Sequence, residues 1–457
     1  MELEICSESY IKPSSPTPPC NKTYKISLMD QFLVNYGIDI PLILFYPNLH
    51  QHRLAINDFI SKRSQTLKQS LSEALAYYYP FAGRIKDSLS VDCNDEGVYY
   101  VEARANTSLF EYCSHTDNLT CGQLLPRQPG SYEPSSAGAY VVMIKETTFT
   151  CGGVTIGIFG SHMVMDAAPM ASFVKCWAAI ACNSSKDITY PNFNGPSMFP
   201  QYNAFPREAT MAALDEAFIK TGKLAATRFV FDESRISDLR HQLSDSGTEN
   251  LNPNGAELVS AFLYGCISET IRARSGVVKP NAFINIVDFR GKAEPPLPEN
   301  SLGNFFWMAP GLISHNETKL ASLICKMKEA TSKIDTDFVK NIQSGHGFSK
   351  LYEMMKETKR LLTSNSTCSD GADIVMISSM CNLGLYEVDF GWGEPIWVTC
   401  VDSPPDSITQ FVNSFNIMDS REGKGIEAWV FLDEQDLVLL EQYEKLLEYA
   451  SVYPSPV

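Results

Sequence analysis

Val154-Thr155-Ile156-Gly157-Ile158-Phe159-Gly160-Ser161-His162-Met163-Val164-Met165-Asp166 decides the fold, because the period of the chain changes inside it. Residues 154–159 are apolar and rich in β-branched side chains, as a strand requires. Further on, Phe173, Val174, Trp177 and Ala181 recur at helical spacing. Asp166 stands where an N-cap carboxylate accepts a backbone N–H, and Pro169 falls in the first turn, where no intrahelical donor is needed. The segment predicts strand, turn and helix, with His162 at the turn.

A turn of this kind can aim an imidazole into a cavity while the aspartate holds the backbone behind it. Histidine titrates near 6.5, so at physiological pH it can be neutral and accept a proton; His162 is therefore a candidate general base. Taken alone, His-x-x-x-Asp equally describes an ordinary strand–helix connection with a capping aspartate.

Working outward, 457 residues exceed the size at which one core stops growing, so two domains or two similar halves are expected. A leading half at 1–190 carries the strands Val98-Tyr99-Tyr100-Val101 and Tyr140 to Ile144, and a helical stripe of Leu67, Leu71, Ala74, Leu75 and Tyr78 that stops at Pro80. Prolines without sustained periodicity mark a crossover, 191–215. The trailing half, 216–457, restarts with Arg228-Phe229-Val230-Phe231, a helix through Leu258 to Ile271 and a strand at Ala282 to Val287. It closes with the strand Ile426 to Phe431 and one helix carrying Leu437, Leu440, Leu446 and Leu447. Strands and helices without regular βαβ alternation predict a mixed α/β (α+β) fold of two layers meeting at an interface, where ligands commonly sit. Ser364 to Gly371 reads as an exposed loop.

A formal net charge of −16 argues against nonspecific binding to nucleic acid or an anionic membrane. No apolar run approaches the roughly 20 residues that span a bilayer, and the acidic start Met1-Glu2-Leu3-Glu4 is no signal peptide. Thirteen cysteines without a Cys-x-x-Cys pair favour free thiols and a cytoplasmic location, leaving Asn118-Leu119-Thr120 an unused sequon. Neither His50, His52 nor His162 belongs to a zinc pattern, so no metal site is expected. Serine-hydrolase elbow, Walker loop and dinucleotide fingerprint are all missing.

Two further pieces stand out. Asp389-Phe390-Gly391-Trp392-Gly393 joins glycines, which permit positive φ and close approach, to two large aromatic rings; a bracing role outweighs catalysis there. Asp389 needs a cationic partner if buried, and Arg290, in Asp288-Phe289-Arg290-Gly291-Lys292, is the candidate. Lys292 is a candidate phosphate contact.

His162-x-x-x-Asp166 followed by Asp389-Phe390-Gly391-Trp392-Gly393 resembles the paired signatures of the BAHD acyl-CoA-dependent acyltransferases of plants. Tyr79-Pro80-Phe81-Ala82-Gly83-Arg84, Cys151-Gly152-Gly153, Asp288-Phe289-Arg290, Pro295-Pro296-Leu297-Pro298 and Gly303-Asn304 extend the likeness along nearly the whole chain. Ser15-Pro16-Thr17-Pro18 and Leu44-Phe45-Tyr46-Pro47 are most similar to the vinorine synthase-like alkaloid group. The resemblance implies a chloramphenicol acetyltransferase-like pair of similarly folded mixed-sheet domains, a monomer, with a channel at their interface. In that channel His162 deprotonates an alcohol that attacks the acyl-CoA thioester, with no acyl-enzyme and no permanently bound cofactor.

By the same resemblance Asp166, Asp389, Arg290, Gly391, Trp392 and Gly393 are structural, Lys292, Ser301 and Asn304 contact CoA, and Ser378 and Met380 line the acceptor pocket. One departure stands immediately before the second signature. Relatives often carry Thr/Ser-Ser-Trp-Cys/Val-Arg there, whereas this chain has Ser378-Ser379-Met380-Cys381-Asn382. Met380 has no N–H to offer an oxyanion, so Ser378 or a backbone N–H is left to substitute. The implied function is acyl transfer, acetyl by default, from CoA to a hydroxyl of a small specialised metabolite such as an alkaloid. A benzoyl or other aromatic donor, a condensation-type module working on carrier proteins, and a noncatalytic ligand-binding relative are the alternatives. Ser161, where condensation-type modules carry a second histidine, favours free CoA.

Overall fold

In the computed structural model the quoted stretch is a strand, Val154–Ser161, a turn through His162, and a helix, Ala167–Ala181. The structure describes residues 1–34, 38–48, 56–114, 121–127, 136–206, 218–245, 251–276, 281–314, 317, 319–363, 373–402 and 407–455. The loop expected at Ser364 to Gly371, the sequon at Asn118, His50, His52 and the end of the crossover lie outside the described residues.

In chain order the strands are β1 (Leu3–Ile11), β2 (Thr23–Lys25), β3 (Asp39–Tyr46), β4 (Arg84–Asp87), β5 (Ser90–Asp92), β6 (Val98–Ala105), β7 (Val142–Thr148) and β8 (Val154–Ser161). They continue as β9 (Lys220–Phe231), β10 (Asn281–Asp288), β11 (Phe306–Ile313), β12 (Asp373–Ser379), β13 (Trp397–Thr399), β14 (Ile408–Phe411), β15 (Ser414–Asp419), β16 (Ile426–Asp433) and β17 (Ser451–Val452). A six-stranded sheet has the order β1-β6-β7-β8-β3-β13, and an eight-stranded sheet the order β11-β10-β12-β15-β16-β9-β14, with β17 also on β9. Strands β2, β5 and β4 form a small third sheet. Both large sheets are mixed, β6 running parallel to β7, and β10 and β15 parallel to β12. The expected mixed α/β fold is what forms.

β8 lies between β7 and β3 with every residue buried, which is why it reads as a continuous apolar run and not as an alternation. Gly157 is required there, since a Cβ would stand 2.1 Å from the Leu124 carbonyl oxygen. The following helix buries Phe173, Val174 and Trp177, and the Trp177 indole N–H donates to the Leu67 carbonyl of the helix Ile56–Tyr77 at 3.0 Å.

One hydrophobic core forms on the six-stranded sheet and another on the eight-stranded sheet, and neither respects the order of the chain. Leu28, Met29 and Phe32 belong to the core built mainly from the trailing half. Conversely, Trp397, Val398 and Thr399 pair with Phe45, Leu44 and Ile43, so a strand from the trailing half covers the β3 edge of the leading sheet. Glu427 holds that strand to the second sheet, accepting from the Trp397 indole at 3.3 Å and from Arg228 at 3.1 Å.

The single closing helix expected through Leu437 to Leu447 is two, Glu434–Glu441 and Glu444–Leu447. Tyr443 leaves helical geometry between them, and its hydroxyl donates to Glu269. No helix among the described residues is long and apolar enough to cross a membrane. Every described cysteine is a free thiol.

Candidate active site

His162 emerges from the end of β8, where its backbone N–H donates to the Ile38 carbonyl at 3.0 Å and a tight turn returns the Val164 N–H to the Ser161 carbonyl. The ring is only partly buried, near the Phe306 ring with centroids 6.0 Å apart. Its Nδ1 lies 2.9 Å from the Asn304 side-chain oxygen. An amide oxygen only accepts, so Nδ1 carries the proton and Nε2 keeps its lone pair. Burial pulls the imidazole below its usual 6.5, against the opposing pull of Asp166 and the Asn304 bond, so the ring is neutral at physiological pH. The arrangement is a neutral, oriented imidazole able to accept a proton at Nε2.

Asp166 does not touch the ring through any hydrogen bond. One oxygen caps the helix through the Ala168 N–H at 3.1 Å and accepts from Arg290 at 2.8 Å; the other accepts from the Phe305 N–H at 3.0 Å. Arg290, almost fully buried, also donates to Asp288 at 2.5 Å and to the Gly303 carbonyl at 3.1 Å. Burial disfavours the guanidinium, and the two carboxylates more than offset it, holding Arg290 above its usual value. Asp166 therefore clamps the start of one helix to the β10–β11 connection, and that connection brings Asn304 to His162.

Arg290 is thus not the partner of Asp389, as the sequence suggested; its partners are Asp166 and Asp288. Asp389 is only half buried and is met by backbone donors instead of a cation: the N–H groups of Gly391, Trp392 and Gly393 reach one carboxylate oxygen at 2.7, 3.0 and 2.9 Å. The loop that makes this possible has φ of +103° at Gly391 and +108° at Gly393. Phe390 packs edge-on against Trp177 at 4.9 Å, and Trp392 against Tyr46 at 6.2 Å, behind the leading sheet. The contacts of this motif are those of a brace.

Of the three residues expected at CoA, two are buried and one is partly buried. Asn304 is 2% exposed, with its side chain committed to His162 and Asp30, and Ser301 is fully buried with its carbonyl toward Arg290. Neither offers a surface to a ligand. Lys292 is partly buried and donates to the Ile334 carbonyl at 2.5 Å. Ser378 lines a cavity of about 270 Å³ with Asn254, Glu257, Asn285, Lys328 and Ser379, its hydroxyl 2.5 Å from the Asn416 side chain. Met380 packs against the core of the leading sheet, its backbone N–H on the Ile417 carbonyl. Phe306, beside His162, pairs with Asp288 on β10, two positions from Ile286 in the cavity wall.

Asp30 is the site residue that sequence reasoning missed. It is fully buried, accepts two bonds from Asn304, and is pushed up by burial to about 6, against the lowering effect of its hydrogen bonds to Ser27 and Asn304. A capping-box spacing, Ser27-x-x-Asp30, was the available signal. Among the described residues no three His, Cys, Asp or Glu side chains gather as a metal site.

The model of the Transferase family matches residues 1–447. The chain belongs to this family, the BAHD acyltransferases. This BAHD chain is 39% identical to epi-neemfruitin B 7-O-acetyltransferase of Melia azedarach and 38% identical to limonoid 7-O-acetyltransferase of Citrus sinensis, over the full length of all three. It is 34% identical to stemmadenine O-acetyltransferase of Catharanthus roseus, over 96% of each chain. Among solved structures, vinorine synthase superposes with a TM-score of 0.78 at 29% identity, covering 98% of this chain and 99% of that one. The Fusarium graminearum TRI101 structure with coenzyme A and T-2 mycotoxin gives 0.72 at 17% identity, over 94% and 100%, a likeness of fold.

Proposed function

We propose that this BAHD acyltransferase moves an acetyl group from acetyl-CoA to a hydroxyl of a polycyclic specialised metabolite, with His162 as general base in a ternary complex. The observation that carries this reading is the Nδ1 bond to Asn304, which leaves Nε2 of a neutral ring free to take a proton. Nε2 removes the hydroxyl proton as the oxygen attacks the thioester carbonyl. The tetrahedral intermediate collapses, the carbon–sulfur bond breaks, and the departing thiolate takes the proton back as CoA. Alcohol and acetyl-CoA become ester and free CoA with no net proton released.

Acetyl is supported by the three relatives, all named as acetyltransferases, and CoA by the coenzyme A bound to TRI101. The limonoid enzymes are more similar than the stemmadenine enzyme, so a limonoid-like alcohol is the first acceptor to try and an alkaloid the second. The cavity beside Ser378 lies where the parallel strands β10 and β12 end, a position that favours ligands in such sheets, and we assign it to one of the two substrates. The lobes 1–190 and 216–457, joined by 191–215, act as one monomeric, cytoplasmic unit with a channel between them.

Purified protein with acetyl-CoA and a panel of hydroxylated limonoids and alkaloids tests the reading. An acetyl ester and stoichiometric free CoA are expected, with His162→Ala losing about 10²–10⁴-fold in kcat while keeping its fold. Turnover by that variant near the parent rate would overturn the assignment.

A further inference from the structure

The histidine is held by an amide, and the amide is held by a carboxylate. Asp30 is the third residue of a short capped segment, Leu28–Gln31. One of its oxygens accepts from the Ser27 backbone N–H at 2.6 Å and the Ser27 hydroxyl at 2.7 Å. The other accepts from the backbone N–H of Asn304 at 2.7 Å and from its side-chain Nδ2 at 2.8 Å. The second Nδ2 proton goes to the His162 carbonyl at 2.8 Å, which leaves Oδ1 facing the ring.

An asparagine amide can turn over, exchanging oxygen for nitrogen. Turned over here, Oδ1 would stand against the Asp30 oxygen and the His162 carbonyl, two acceptor–acceptor contacts in a buried site, where unpaired polar groups cost most. Nδ2 would then face the ring and require an unprotonated Nδ1, moving the proton to Nε2. An Nε2–H imidazole cannot take a proton at the atom that meets the substrate. From this geometry we infer that Asp30 is a positioning residue that selects the base-competent tautomer of His162 through the orientation of Asn304.

The inference rests on His162 acting as the base, but its readout does not depend on turnover. In full-length protein labelled with ¹⁵N-histidine, two-bond ¹H–¹⁵N spectra report which ring nitrogen is protonated, and the His162 signals are those lost in His162→Ala. The parent protein is expected to carry its proton on Nδ1 at pH 7.5. In Asp30→Asn one face of the side chain becomes a donor, and the proton is expected to shift toward Nε2. With an acceptor in hand, kcat falls by about 10²–10³-fold, within the range of losing a base or its tautomer, and the KM for acetyl-CoA stays within about twofold.

Ser27→Ala separates this role from capping: it removes the two bonds of the Ser27 hydroxyl to Asp30, one to the oxygen away from Asn304 and one from the backbone N–H, and tautomer and kcat are expected to hold. Should Asp30→Asn not fold, Asp30→Ser carries the same expectation. An Nε2–H ring in the parent, an unmoved tautomer in a folded Asp30 variant, or an equal kcat loss in Ser27→Ala would each overturn the inference. Absence of any turnover in the parent would defeat the acyltransfer reading alone.

Discussion

The turn at the end of β8 suits His162 to the proposed role of base by two separate means: desolvation lowers its affinity for a proton, and the Asn304 bond fixes which nitrogen keeps a lone pair. The pH consequence has a definite sign. Because the folded ring titrates below 6.5, kcat/KM is expected to stay level as pH falls through 6.5 and to drop only at more acid values, as initial rates over pH 5–8 will show. The unfolded chain binds the proton more readily, so the His162 contribution to stability rises with pH across that window. Sequence reasoning placed His162 at a turn and Asp166 at a helix cap because strand, turn and cap are local patterns. It did not foresee the Asn304 bond to the ring, and paired Arg290 with Asp389 when the partners are Asp166 and Asp288, because charge types do not say which distant carboxylates the fold brings near.

At the scale of elements, local signals again separate what was legible from what was not. The β8 strand, its following helix and the helix Gly255–Ser275, capped by Asn254 and Glu257, were readable from period. The two-part closing helix was not, because the break at Tyr443 answers a hydroxyl bond to Glu269, 174 residues away. The Asp389 loop shows how a composition can suggest a bracing role and still be read wrongly for its partner. Asp389→Ala strips an acceptor from three backbone N–H groups, and is expected to lower stability by about 1–3 kcal/mol in urea unfolding while leaving kcat near the parent value. A loss of turnover matching His162→Ala would place the motif in the chemistry instead.

Across the whole molecule, the Asp166–Arg290 pair ties the helix that follows His162 to the connection that carries Asn304, so fold and site share one clamp. Breaking it leaves a nearly buried guanidinium short of a partner. Asp166→Ala is expected to cost about 3–5 kcal/mol and to reduce kcat together with stability, whereas Asp166→Asn retains the helix cap and loses less. Chemical denaturation and initial rates on the same samples check both. The overall α/β class was legible from the mixture of periods; the traffic between halves was not, since nothing in Trp397-Val398-Thr399 announces that it will leave its neighbours.

That borrowed strand sets an order of events during synthesis. A nascent chain that has reached residue 215 holds β1, β6, β7, β8 and β3, yet the apolar margin Ile43-Leu44-Phe45 has nothing to lie against until residue 399 leaves the ribosome. At about 5–20 residues per second the wait lasts on the order of ten seconds or more, during which an uncovered strand margin invites association with other chains. A protein so threaded matures only near the end of its translation, and a severed first half would not be its free-standing equivalent.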